Sequence, residues 1–207
     1  DIHEETTAIL PSKEWKENRF KESWWRGDTI SVGIGQGYWT ATPIQIANAT
    51  NILVNKGINH PPHLAQVAKK EDDVTQINNE EKPPVVLNNP DNWRIAIDAM
   101  HNTVTKVTGT AHKAFKGVNY DPAGKTGTAQ VVSIAQGEKY DAESLKERQR
   151  DNAIYVGFAP YNNPQIVVSI VVENNGGGST VGAPIARQLM DYYFAANPVE
   201  LARNNTL

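Results

Sequence analysis

The chain has 207 residues, 39% of them hydrophobic and 21% charged, with a formal net charge of -3. Acids and bases are interspersed, which excludes both a basic stripe for nucleic acid and an acidic solvating tail. Cysteine is absent, excluding disulfides, thiolate metal sites and a cysteine nucleophile, and no apolar run approaches the roughly 18 residues that span a bilayer.

The polar opening, Asp1-Ile2-His3-Glu4-Glu5, carries no leader pattern and reads as the interior of a larger protein. Ser12 is placed as the N-cap of a short helix through Lys13-Glu14-Trp15-Lys16. Gly33-Ile34-Gly35-Gln36-Gly37 has G-x-G-x-G spacing, but no strand–turn–helix unit surrounds it and no acidic partner follows. It reads as a tight turn feeding a helix rather than as a nucleotide site. That helix is well signalled. Thr42 and Gln45 form a capping box with Pro43 at the first helical position, and Ile46, Ala49 and Leu53 recur at helical spacing before Lys56-Gly57. The aromatic residues Trp24, Trp25, Tyr38 and Trp39 could border a cleft, but near a helix entry they read first as packing.

Residues 58–88 are rich in Pro, Asn and acids, a surface excursion with room for one short hairpin. Within it, the prolines between His60 and His63 forbid the helical spacing of a zinc site. A second helix is predicted from Asn89-Pro90, presenting Trp93, Ile97, Met100, Val104 and Val107 and stopping before Gly109, and its stripe, like that of Ile46, Ala49 and Leu53, is expected to face the core. The last third changes period. Strands are predicted over 125–132, 153–159 and 165–173, the last two joined through Pro160-Tyr161-Asn162-Asn163-Pro164. A charged loop fills 133–152, with a helical turn at 142–147. A Gly-rich turn at 174–179 leads into an amphipathic helix over 181–195. Hairpin-linked strands with helices before and after give an α+β class, an antiparallel sheet flanked by helices. No internal repeat and no long linker divides the chain. One unit over 1–195 followed by a tail over 196–207 is expected.

The chemistry concentrates in Gly124-Lys125-Thr126-Gly127-Thr128-Ala129-Gln130. Gly127 lets a backbone or ligand approach closely. The hydroxyls of Thr126 and Thr128 and the ammonium of Lys125 suit a carboxylate and the steering of a proton. Backbone N–H groups of an edge strand can pair with an extended peptide or hold an oxyanion. Lys125 and Thr126 leave on opposite faces, so they serve one site only if this strand borders a cleft. Residues 140–150 either cap that site or are simply solvated.

The segment resembles the Lys-Thr-Gly motif of penicillin-binding proteins and serine β-lactamases. Ser31-Val32-Gly33-Ile34-Gly35-Gln36-Gly37-Tyr38 with Thr42-Pro43-Ile44-Gln45 is similar to the turn and helix of class B penicillin-binding proteins. Gly109-Thr110-Ala111 and Val156-Gly157-Phe158-Ala159-Pro160 match the same family. Gly35 to Pro43 and Ala159 to Gln165 look like its elongation-specific Gram-negative branch. One departure stands out. Ser12, Ser23, Ser31, Ser133, Ser144, Ser169 and Ser179 lack Lys three residues later and Asn two residues later, so neither the Ser-x-x-Lys nor the Ser-x-Asn motif is present.

The resemblance therefore implies the C-terminal part of a transpeptidase domain, with the nucleophile, two sheet strands and a membrane anchor encoded upstream. It implies a location on the periplasmic side of the inner membrane and a serine acyl-enzyme that cross-links stem peptides during elongation, with no cofactor. Lys125 would relay a proton. Thr126 and Thr128 would hold the substrate carboxylate, and the Thr128 N–H would supply half of an oxyanion hole. Gly127 would keep the strand face clear. The implied partners are peptidoglycan stem peptides, β-lactam antibiotics, the upstream half of the domain and the membrane glycosyltransferase of the elongation machinery. A serine β-lactamase or carboxypeptidase shares the Lys-Thr-Gly strand, and a non-catalytic penicillin-binding sensor or scaffold module is the alternative from outside enzymology.

Overall fold

The computed structural model describes residues 5–65, 67–70, 73–76, 82–131 and 145–197. Helix α1 spans Lys13–Phe20, where the Ser12 hydroxyl accepts from the Trp15 N–H at 3.0 Å. A second short helix follows after residues 21–25. Helix α2, Arg26–Gly33, starts when the Asp28 carboxylate accepts from the Trp25 N–H at 2.7 Å. Helix α3, Pro43–Val54, carries the expected capping box: Thr42 N–H donates to Gln45 Oε1 at 2.9 Å, and Gln45 N–H to Thr42 Oγ1 at 3.3 Å.

Strands β1, Val67–Lys70, and β2, Asp73–Gln76, form the short hairpin of the 58–88 excursion. Helix α4, Asp91–Thr105, ends sooner than its apolar pattern suggested. Val104 is buried, but Val107 lies beyond the helix and is 84% exposed, so it leaves the core stripe. The reason is steric. Gly109 packs where a Cβ would collide with the Thr103 carbonyl oxygen, and the Ala111 N–H donates to that same oxygen at 3.2 Å. The chain turns back sharply to bury Ala111, and Val107 is left on the outside of the turn.

Three antiparallel strands follow in spatial order β3-β4-β5: Ala123–Ala129, Asn152–Ala159 and Ile166–Val172. The first begins and ends earlier than the predicted 125–132, because Ala123 and Gly124 pair with Phe158 and Gly157. Of the helical turn predicted at 142–147, residues 142–144 lie outside the described ones. A 3-10 turn spans Glu147–Gln149 instead. A π turn at Gly178–Gly182 leads into helix α5, Ala183–Ala196. Of the expected 196–207 tail, residues 198–207 lie outside the described residues.

Ala183, Ala186, Met190 and Phe194 of α5 are buried on Val104, Ala111, Phe115, Tyr120, Tyr155, Ala159 and Val168. Each large side chain so buried contributes about 1.5–3 kcal/mol. Phe158 and Val167 are register partners on the opposite face, and Val167 borders a cavity with Ala47, Asn51 and Val54 of α3. Helix α5 thus covers one face of the sheet and α3 the other. The stripe of α3 behaves differently from expectation: Ile46, Ala49 and Leu53 line an open apolar groove of about 460 Å³ with Ala8, Ile9 and Leu10.

Candidate active site

Strand β3 is an edge strand among the described residues, which leaves one side of its backbone unpaired there. Register pairs Thr126 with Tyr155 and Thr128 with Ala153, placing both threonines on the α5 face. Lys125 and Gly127, opposite Val156 and Ile154, leave on the α3 face. Lys125 and Thr128 are exposed, and Thr126 is partly so.

The direction of the backbone groups follows from the π turn. A Cβ on Gly178 would collide with the carbonyl oxygens of Ile154 and Gly127, so this turn crosses the β3–β4 ladder against bare backbone. Gly127 therefore directs its own carbonyl towards β4. Backbone directions alternate along a strand, so the N–H and C=O groups of Thr126 and Thr128 point to the free edge. The Lys125 ammonium agrees with this, donating to the Thr126 carbonyl at 2.7 Å. A peptide or oxyanion at the edge would meet the Thr128 N–H.

Three features hold this edge in place. Tyr155, fully buried, lays its hydroxyl where a Cβ on Gly124 or Gly157 would fall, and its ring stacks on Phe115 with centroids 5.6 Å apart. Burial pushes the Tyr155 phenol well above its ordinary range, so it stays neutral. At Gly127 an added Cβ would meet the Ile154 Cβ at 3.2 Å, so the small residue also suits the sheet itself. Finally, Thr110 Oγ1 lies 2.7 Å from Thr126 Oγ1, bringing the segment after α4 onto the strand.

The C-terminal end of β3 opens into a polar cavity of about 390 Å³ lined by Ser31, Gln36, Trp39, Ala129 and Gln130 together with Gly35 and Gly37. The Gly-Gln-Gly turn and the Lys-Thr-Gly strand, 88 residues apart in sequence (Gly37 to Lys125), thus adjoin one space. Gly35 and Gly37 take φ of 75° and 76°, the left-handed region that glycine tolerates. Of the four aromatic residues read as packing, Tyr38 does pack, on Trp15 and Phe20. Trp39 instead borders the cavity, and Trp25 is 65% exposed.

The turn is anchored from below by an ion pair with no local sequence signature. Lys16, only 2% exposed, donates to Asp28 at 2.7 Å and ties α1 to α2. The Lys16 contact, with the Trp25 N–H second, holds the Asp28 carboxyl below its ordinary 3.8, while the same contact raises Lys16 above 10.5. The lowered carboxyl contributes stability that is present above the unfolded value and lost as pH falls through the folded one. The raised ammonium contributes stability present below its unfolded value and lost as pH rises through the folded one. Asp28→Asn should therefore lower the thermal midpoint at pH 7, and the gap to the parent should close as pH drops below about 3.8. A gap of constant size from pH 7 to pH 2 would mean that the charge plays no part.

Among the described residues no cluster of three or more His, Cys, Asp or Glu could hold a metal ion, and no helix is long and apolar enough to cross a membrane. The family model of the penicillin-binding protein transpeptidase domain matches residues 3–191. The chain is 48% identical over 198 residues to the peptidoglycan D,D-transpeptidase MrdA of Haemophilus influenzae, covering 93% of this chain and 30% of the relative. It is 43% identical to MrdA of Escherichia coli K12 over 206 residues, covering 100% of this chain and 31% of the relative. The fold matches the crystal structure of Pseudomonas aeruginosa PBP2 with a TM-score of 0.73 and 39% identity, over 90% of this chain and 38% of that one. It also matches Helicobacter pylori PBP2, solved in complex with MreC, with a TM-score of 0.74 and 27% identity, over 93% of this chain and 32% of that one. The chain spans about 30% of the length of these curated relatives.

Proposed function

This chain belongs to the penicillin-binding protein transpeptidase family, and from that premise we propose that the complete protein is a serine-type peptidoglycan D,D-transpeptidase of cell elongation. These residues contribute its substrate-binding edge strand. The observation that supports the reading is that β3, which carries Lys125-Thr126-Gly127-Thr128, is an edge strand among the described residues, and that its last residue, Ala129, lines one cavity with the Gly-Gln-Gly turn. The nucleophile belongs to a Ser-x-x-Lys motif outside these 207 residues. The complete protein sits on the periplasmic face of the inner membrane, held by an anchor upstream, where a membrane glycosyltransferase of the elongation machinery supplies strands. A partner like the MreC bound to the Helicobacter pylori relative fits the same assembly.

In this mechanism a stem peptide extends along β3, its backbone pairing with the outward groups of Thr126 and Thr128. The serine oxygen, giving up its proton to the lysine of its Ser-x-x-Lys motif, attacks the penultimate D-Ala carbonyl, whose oxyanion is held by the Thr128 N–H and the nucleophile's own N–H. The C–N bond breaks, and the terminal D-Ala leaves as an amine once Lys125, through a neighbouring serine hydroxyl, has delivered a proton. An amine from a second stem then attacks the ester and releases the serine. A β-lactam enters as the acyl donor. Its C–N bond opens but the leaving amine stays attached, and the acyl-enzyme persists.

Thr128→Val in the complete protein keeps the β-branch and the backbone N–H and deletes only the hydroxyl. Binding of a carboxylate-bearing penicillin should weaken by about 1.5–3 kcal/mol, the range for a hydrogen bond to a charged group. The methyl ester of the same penicillin should be indifferent to the substitution. Equal losses for acid and ester in competition binding would contradict the carboxylate assignment.

A further inference from the structure

Thr110 and Thr126 place their hydroxyl oxygens 2.7 Å apart, and either could be the donor. Their contact is not incidental to a flexible loop. Gly109 is wedged on the Thr103 carbonyl, its N–H donates to the Lys106 carbonyl at 2.8 Å, and Ala111 is fully buried. Thr110 is thus fixed on both sides while its own side chain remains exposed. Thr126 is fixed by its pairing with Tyr155 in the sheet.

A hydroxyl has one proton, and that limits the pair to two states. In one, Thr126 donates to Thr110 and turns only lone pairs towards the edge of β3. In the other, Thr110 donates to Thr126, and the Thr126 proton is free to point at a ligand. An anion at the edge selects the second state, because the first would set lone pairs against negative charge. The resulting chain, Thr110 O–H to Thr126 O–H to carboxylate, runs in one direction and each bond polarises the next. We propose that Thr110 is a positioning residue for the acyl donor: it accepts nothing from the substrate and acts by holding the Thr126 hydroxyl as a donor to the substrate carboxylate. The proposal rests on the reading of Thr126 as a carboxylate ligand.

The test uses the complete transpeptidase, a penicillin and its methyl ester as acyl donors, and the variants Thr110→Val, Thr110→Ser, Thr126→Val and the Thr110→Val/Thr126→Val pair. Thr110→Val should slow second-order acylation by the acid about 3- to 10-fold, the scale of one neutral hydrogen bond. Acylation by the ester should be unchanged, and Thr110→Ser should restore the acid to the parent rate. Because Thr110 acts only through Thr126, the double variant should acylate no more slowly than Thr126→Val alone. A loss shared equally by acid and ester, a loss that serine does not rescue, or additive losses in the double variant would overturn the proposal. If Thr126→Val discriminates acid from ester and Thr110→Val does not, the positioning role fails while the carboxylate site stands. If Thr126→Val itself does not discriminate, both readings fall.

Discussion

Lys125→Ala in the complete protein should slow acylation by penicillin about 10²–10⁴-fold, the range for loss of a general acid–base group, and leave the fold intact. The two halves of that expectation rest on different observations. The fold should survive because Lys125 is exposed and, among the described residues, its ammonium hydrogen-bonds the carbonyl of the next residue on its own strand and no other. No core contact and no ion pair of the described residues depends on it. Acylation should suffer because Lys125 projects from the free edge of the sheet on the face opposite the threonines, the position from which a cation can serve a group docked against that edge. Stopped-flow acylation gives the rate, and circular dichroism melting gives the fold. An unchanged rate would remove Lys125 from the mechanism. A collapsed melting curve would show that it is a structural residue.

What the sequence made legible was local. The Thr42/Gln45 capping box spans four residues, and both of its hydrogen bonds form as the spacing dictates. The two hairpin strands were readable because Ile-, Val- and Tyr-rich segments flank a proline-bounded turn, and they pair in that order. What escaped depends on distant partners. Helix α2 starts on the Asp28 carboxylate, and that carboxylate is held by Lys16, twelve residues away. Ala123 and Gly124 have poor strand propensity and become strand only through pairing with β4, with Gly124 also leaving room for the Tyr155 hydroxyl. The Lys-Thr-Gly segment was legible as a strand with chemistry. That it is an edge, and that Thr126 has a hydroxyl partner sixteen residues upstream, needed the fold.

The 207 residues alone should form no covalent adduct with labelled penicillin and should self-associate, and both properties should reverse when the rest of the domain is supplied. No serine of the chain has Lys three residues later, the partner that activates the family's nucleophile. The Ser12 hydroxyl is committed to the Trp15 N–H, and the Ser169 hydroxyl is buried within β5. Ser31 borders the cavity beside β3, but among the described residues no lysine or histidine lines that cavity to take its proton, and an unactivated hydroxyl is a poor nucleophile at neutral pH. Association follows from exposed apolar surface. Trp25, Ile30 and Ile34 are 65%, 69% and 68% exposed, the groove along α3 is lined by Ile9, Leu10, Ile46 and Leu53, and β5 is an unpaired Val- and Ile-rich edge among the described residues. Such edges template pairing with another chain, and exposed apolar surface of this kind favours association. Size-exclusion chromatography of the chain should therefore show species above monomer mass, and gel fluorography after incubation with labelled penicillin should show no band. Co-expression with the remainder of the domain should give a soluble species that takes up label on a serine outside these 207 residues. A stable monomer acylated on one of its own serines would overturn both the incomplete-site reading and the roles given to Lys125 and Thr128.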